Sequence, residues 1–171
     1  MPGVFPGATS APACPMSAPF RVVIDSQSLF DWLVFANPWC ADWAEVLSGP
    51  QWKWVTTDSM RREFDAVARH GFGPRWPVDA AALDAAWGRH ATVLPPHDPL
   101  GADRRLVCRD RDDQKFIDLA IACGAQVLVS RDNALLKLAR KAAERHGVRV
   151  LTPLAWNAWR ATLAAPTLPP V

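Results

Sequence analysis

The sequence predicts an α/β fold with a mainly parallel sheet, on three observations. Short apolar runs suited to strands alternate with stretches of helical periodicity from residue 21 onward. Two of the runs, Val22-Val23-Ile24 and Val127-Leu128-Val129, are apolar at consecutive positions, as in strands covered on both faces. Both runs are followed closely by an aspartate, Asp25 and Asp132, at the carboxyl edge where doubly wound sheets build their sites.

Taken in order, residues 1–20 are rich in Pro, Ala, Gly and Ser and carry no charged side chain. They lack the basic and apolar regions of a signal peptide and read as a disordered leader before one domain over 21–163. Arg21 to Asp25 is the first strand, and Ser26 or Ser28 caps a helix running to a break at Asn37-Pro38. A second helix, Trp39 to Leu47, ends at Ser48-Gly49-Pro50, and Trp52 to Thr56 is the next strand. Asp58 suits the cap of a helix over Ser59 to Arg69, with Met60, Phe64 and Val67 on its apolar stripe.

A turn-rich segment, Gly71 to Pro77, leads to a helix over Val78 to Arg89 and a short strand Thr92-Val93-Leu94. Prolines 95, 96 and 99 hold the next segment, up to Cys108, as a loop. A helix then carries Phe116, Ile117, Leu119, Ala120 and Cys123 and stops at Gly124 before the Val127 strand. Asn133 to Arg145 reads as one helix stopped by Gly147, and Val148 to Leu151 is the last strand. Pro153 opens a terminal helix with Trp156 and Trp159, and 164–171 is a flexible tail.

With 171 residues, 50% hydrophobic and 21% charged, the chain has the composition of one ordinary globular domain. No apolar run reaches membrane-spanning length. The four cysteines show no CxxC spacing, so zinc is not implied, and reduced thiols point to the cytoplasm. A net charge of +2 is too small by itself to require a polyanion partner. The four histidines never pair at ligand spacing, and no Walker, GxGxxG or GxSxG pattern occurs.

The chemistry lies in the carboxylates. Asp25 and Asp132 follow strands, Asp113 opens a helix, and Glu63 sits on a helix face, where it reads equally as a solvated glutamate. Asp110 and Asp112 read as partners of the helix dipole or as surface charges. Four carboxylates gathered at one edge repel unless a cation lies among them. Oxygen ligands of this kind suit Mg²⁺ or Mn²⁺, and the matching reaction is hydrolysis of a phosphodiester.

Val-Val-Ile-Asp at 22–25, Glu63 in Met-Arg-Arg-Glu-Phe, the run from Cys108 to Ala120, and Leu-Val-Ser-Arg-Asp at 128–132 together resemble a PIN-domain protein. The likeness is greatest to the VapC-like toxin components of toxin–antitoxin systems and spans roughly residues 21–155. It implies a three-layer α/β/α sandwich, a Mg²⁺- or Mn²⁺-dependent ribonuclease, an RNA substrate, a cognate antitoxin and a homodimer. It also implies that Asp25, Glu63, Asp113 and Asp132 are the metal-site carboxylates, with Ser130 as a small hydroxyl residue beside them. Arg109, Arg111 and Arg131 are then placed to hold the RNA backbone.

The family usually reads Asp-Thr-Asn after its first strand, where this chain has Asp25-Ser26-Gln27. Glutamine moves the amide out by one methylene, which motivates an alternative: a catalytically weak PIN fold that binds RNA or a partner protein. A haloacid-dehalogenase-like phosphatase would need a second aspartate where Gln27 stands. The nine tryptophans read as core, with base stacking a second reading for Trp76 and Trp87.

Overall fold

The computed structural model describes residues 18–164, so most of the expected leader and tail lie outside the described residues. Phe20 already belongs to the first strand. Five strands, β1 (Phe20–Ile24), β2 (Trp52–Thr57), β3 (Ala91–Leu94), β4 (Val127–Val129) and β5 (Arg149–Leu151), form one sheet in the order β3-β2-β1-β4-β5. Every neighbouring pair is parallel, including β1 on β4 through Val22↔Val127 and Ile24↔Val129. The chain moves outward from β1 to β3 and then returns to β4 on the other side of β1. The order therefore reverses between β1 and β4, and that is the switch point.

Helices α1 (Ser26–Leu33), α2 (Trp43–Ser48), α3 (Asp58–His70), α4 (Ala80–His90), α5 (Gln114–Ala122), α6 (Asn133–Leu136), α7 (Ala139–His146) and α8 (Pro153–Ala164) cover the sheet. Alternation along the strands assigns them to layers. Val22, Ile24, Trp54, Val127 and Val129 pack with α1, α2, α4 and α8. Val23, Val55, Leu128 and Val150 pack with α5, α6 and α7. On α3, Met60 joins the second core while Phe64 and Ala68 join the first. The result is a three-layer α/β/α sandwich with an all-parallel sheet.

Several element boundaries differ from expectation, each for a local reason. Asp25, not Ser26 or Ser28, caps α1, because its carboxylate accepts from the Ser28 N–H at 2.7 Å. Thr57 caps α3 in place of Asp58, through the Met60 N–H at 3.3 Å. The helix expected over Trp39 to Leu47 is a 3₁₀ turn, Pro38–Cys40, followed by α2, since Pro38 at its start favours a tight turn. The helix expected over Asn133 to Arg145 is broken into α6 and α7, with the Leu138 N–H bonded to the Leu135 carbonyl at the break. No glycine or proline marks that break. Gly124 and Gly147, at φ 62° and 70°, do provide the expected left-handed stops. Trp87 is buried against Trp54 and Phe64, so it offers no face to RNA, and the half-buried Trp76 packs on Phe35.

Candidate active site

Three aspartates from distant parts of the chain lie at the switch-point edge, each just before a helix, near enough for the charges of Asp132 and Asp25 to act on Asp113. Asp25 ends β1, Asp132 lies three residues past β4, and Asp113 precedes α5. The parallel pairing of β1 with β4 fixes the first two relative to each other, and the Asp25 N–H donates to the Val129 carbonyl at 3.0 Å. α5 packs across β1 and β4, which carries Asp113 to the same edge.

Asp25 is almost fully buried. One of its oxygens accepts from the Ser28 N–H at 2.7 Å and the other from the Ser130 hydroxyl at 2.5 Å. Burial pushes its carboxyl above the ordinary carboxylate range, against the pull of these donors. Asp132 is half-buried and caps α6, its Oδ1 accepting from the N–H groups of Ala134 at 2.6 Å and Leu135 at 3.3 Å. Asp113 stands at the cap position of α5, yet its side chain makes no capping bond.

Burial, and then the charges of Asp132, Asp110 and Asp25, raise Asp113 from 3.8 to about 6, with Lys115 opposing. Lys115 offsets only part of the effect of burial and of the neighbouring carboxylates. Between those two values the folded chain holds a proton that the unfolded chain has released, so ionisation of Asp113 costs stability as pH rises. Without divalent metal, the melting temperature of Asp113→Asn should exceed that of wild type by a margin that widens from about pH 4 to pH 6. A constant margin in thermal melts would show that Asp113 feels no such repulsion.

The remaining expected residues fall in different places. Ser130 is fully buried, donating to Asp25 and accepting from the Asp132 N–H at 2.9 Å, so it braces the two aspartates rather than facing solvent. Glu63 stands to one side on α3, where its Oε1 lies 2.7 Å from Lys115 Nζ on α5. Arg109 and Arg111 are exposed and form no ion pair among the described residues. Arg131 instead donates to Asp31 at 2.6 Å, a buried carboxylate on α1 that also accepts from Asn37. Gln27 is exposed and makes no hydrogen bond among the described residues.

Two contributors were not singled out from sequence. Asp31 is one, hidden because its partner lies 100 positions away. Gln114 is the other: its Oε1 accepts from the Cys108 N–H at 2.7 Å, and its Nε2 donates to the Leu106 carbonyl and to Asp118, each at 2.8 Å. Those bonds hold the preceding loop against the start of α5, beside Asp113. A buried glutamine next to an acidic run was the available signal.

Among the described residues, no group of three or more His, Cys, Asp or Glu side chains is assembled to hold a metal ion. A small hard cation asks less than that. It is held by one or two carboxylates and keeps several waters, which it shares with substrate phosphate. The donor set fits such an ion, because among the described residues Asp113 has uncommitted oxygens and Asp132 commits only Oδ1.

Among the described residues, no helix is long and apolar enough to cross a membrane. Searches of curated proteins and of solved structures returned no match. The profile of the PIN domain matches residues 21–134, which include Glu63, all three aspartates and all of β1 but Phe20. PIN domains are commonly nucleases and generally use divalent metals. On the strength of that match and of the three-layer parallel fold, the chain belongs to the PIN domain family.

Proposed function

We infer that the chain is a Mg²⁺- or Mn²⁺-dependent endoribonuclease, acting as the toxin of a toxin–antitoxin pair in the cytoplasm and restrained by a cognate antitoxin. The observation that carries the reaction is the approach of Asp25 and Asp132 to Asp113 at the switch point, where burial first, and then the charges of Asp132, Asp110 and Asp25, raise Asp113 to about 6. The toxin role rests on the sequence resemblance alone. Asp113 and Asp132 hold the cation, and Asp25 adds the third negative charge from behind them. Bound there, a divalent cation would acidify an attacking water and offset charge on the cleaved phosphodiester. Ser130 keeps Asp25 and Asp132 in register, while Glu63 and Lys115 form the flank of the site. Arg109 and Arg111 offer guanidinium forks to the RNA backbone.

Incubating the purified chain with single-stranded RNA, in Mn²⁺ and separately in EDTA, tests this reading. Cleavage is expected with Mn²⁺ only, together with a rise in melting temperature that follows metal concentration. No cleavage and no thermal shift at millimolar Mn²⁺ would overturn it. A second reading, RNA binding without cutting, draws on the lack of a pre-assembled three-ligand group among the described residues. RNA binding that is indifferent to Mn²⁺ would favour it.

A further inference from the structure

We propose that the pocket formed by Trp39, Arg131, Thr152, Pro153 and Leu154 takes the base of a nucleotide flanking the phosphate held at the aspartates. This rests on the ribonuclease reading and deepens it.

The place follows from strand order. Arg131 comes two residues after β4 and Thr152 directly after β5, so the pocket opens on the same carboxyl rim as Asp25 and Asp132. Arg131 is also the chain neighbour of Asp132, which puts one wall of the pocket beside the acidic cluster. On the other side of the rim, past β2 and β3, a second hollow is lined by Asp58, Arg62, His97 and Lys115, the last paired with Glu63. A strand of RNA laid along the rim would therefore pass the aspartates with the aromatic pocket on one side of them and this polar hollow on the other.

The size and lining select a base. The volume is about 290 Å³, at the bottom of the range for small-ligand pockets and suited to a single ring system. Trp39, Pro153 and Leu154 make most of the wall apolar, which disfavours a phosphate. Leu154 is 64% exposed at the mouth, an unpaired apolar side chain that the core does not use. A nucleobase has the flat apolar face and polar edge that such walls accept.

The platform is also held in place before any ligand arrives. The Trp39 carbonyl accepts from Asn157 Nδ2 at 2.6 Å, and the Arg131 guanidinium lies 5.8 Å from the Trp39 ring centroid. Asp31 anchors Arg131 through Nη1, which leaves its other N–H groups for a base edge. The pairing of buried Asp31 with the exposed Arg131, absorbed by no other part of the site, thereby acquires a purpose.

The test is a cycle between protein and RNA. The Mn²⁺-dependent cut made by the full chain in a short single-stranded RNA is mapped first, and the flanking nucleotides are then made abasic one at a time. Wild type should lose about tenfold in cleavage rate on one abasic substrate, and Trp39→Leu about tenfold on the unmodified RNA. The two losses should not multiply, so Trp39→Leu on that abasic RNA also stays about tenfold down. Leu154→Trp, at an exposed position, should block the mouth and give the same pattern should Trp39→Leu fail to fold. Losses that multiply to about a hundredfold, or a base preference unchanged in both variants, would overturn the pocket and leave the ribonuclease reading intact. Absence of any Mn²⁺-dependent cut by wild type would remove both.

Discussion

Asp132→Asn is expected to lower Mn²⁺-dependent RNA cleavage by more than about 100-fold, beyond the effect of losing an outer partner of a metal ligand. The substitution isolates charge from structure. An amide oxygen can accept from the Ala134 and Leu135 N–H groups as the carboxylate does, and asparagine is as good a helix cap as aspartate. The Ser130 hydroxyl bonds the backbone of residue 132, so that brace survives as well. Circular dichroism should therefore match wild type. The melting temperature in EDTA should equal wild type or rise, because one source of repulsion on Asp113 is gone. The stabilisation by Mn²⁺ should be much reduced. Asp25→Asn is expected to act in the same direction. A rigorously purified Asp132→Asn protein that still cuts RNA at the wild-type rate would sink the metal mechanism.

Trp156→Ala should produce the largest loss of stability, about 3–5 kcal/mol. Trp156 is fully buried on α8, with edge-on contacts to Trp43 at 5.0 Å and Trp52 at 5.5 Å, and Arg160 lies over its ring at 4.7 Å. Removing the indole leaves a cavity between α8, α2 and β2 that neighbouring rings are too rigid to fill. A loss of that size is a large share of the roughly 5–15 kcal/mol that holds a typical domain together. In urea the unfolding midpoint should drop by roughly 2 M. Trp156→Phe should cost much less, since among the described residues the buried indole N–H has no partner and its loss removes no hydrogen bond. An unchanged midpoint for Trp156→Ala would mean that α8 is not part of the cooperative fold.

Much of the architecture was legible because local patterns report burial directly. Val22-Val23-Ile24 and Val127-Leu128-Val129 read as doubly covered strands, and they are the paired centre of the sheet. Gly124 and Gly147 marked helix ends because they take a left-handed conformation that other residues resist. Helix starts were harder to read. Asp25 caps α1 where the pattern points to Ser26 or Ser28, and Thr57 caps α3 where it points to Asp58. The break between α6 and α7 carries no glycine or proline and was invisible.

The sequence by itself determined the alternation of strands and helices, most of the apolar faces (Val67, expected on the stripe of α3, is 43% exposed and Ala68 is buried in its place), and the presence of aspartates just past two strands and at the start of a helix. Periodicity of 2 or 3.6 residues is enough for that, because it concerns near neighbours. Only the tertiary structure decided which charges meet. The β1–β4 pairing sets Asp25 against Ser130 and Asp132 and places Arg131 within reach of Asp31, while the approach of α5 to α3 leaves Glu63 with Lys115. Contacts between residues about 50 to 100 positions apart depend on the order of strands in the sheet, and strand order is settled by how the whole set of helices covers it.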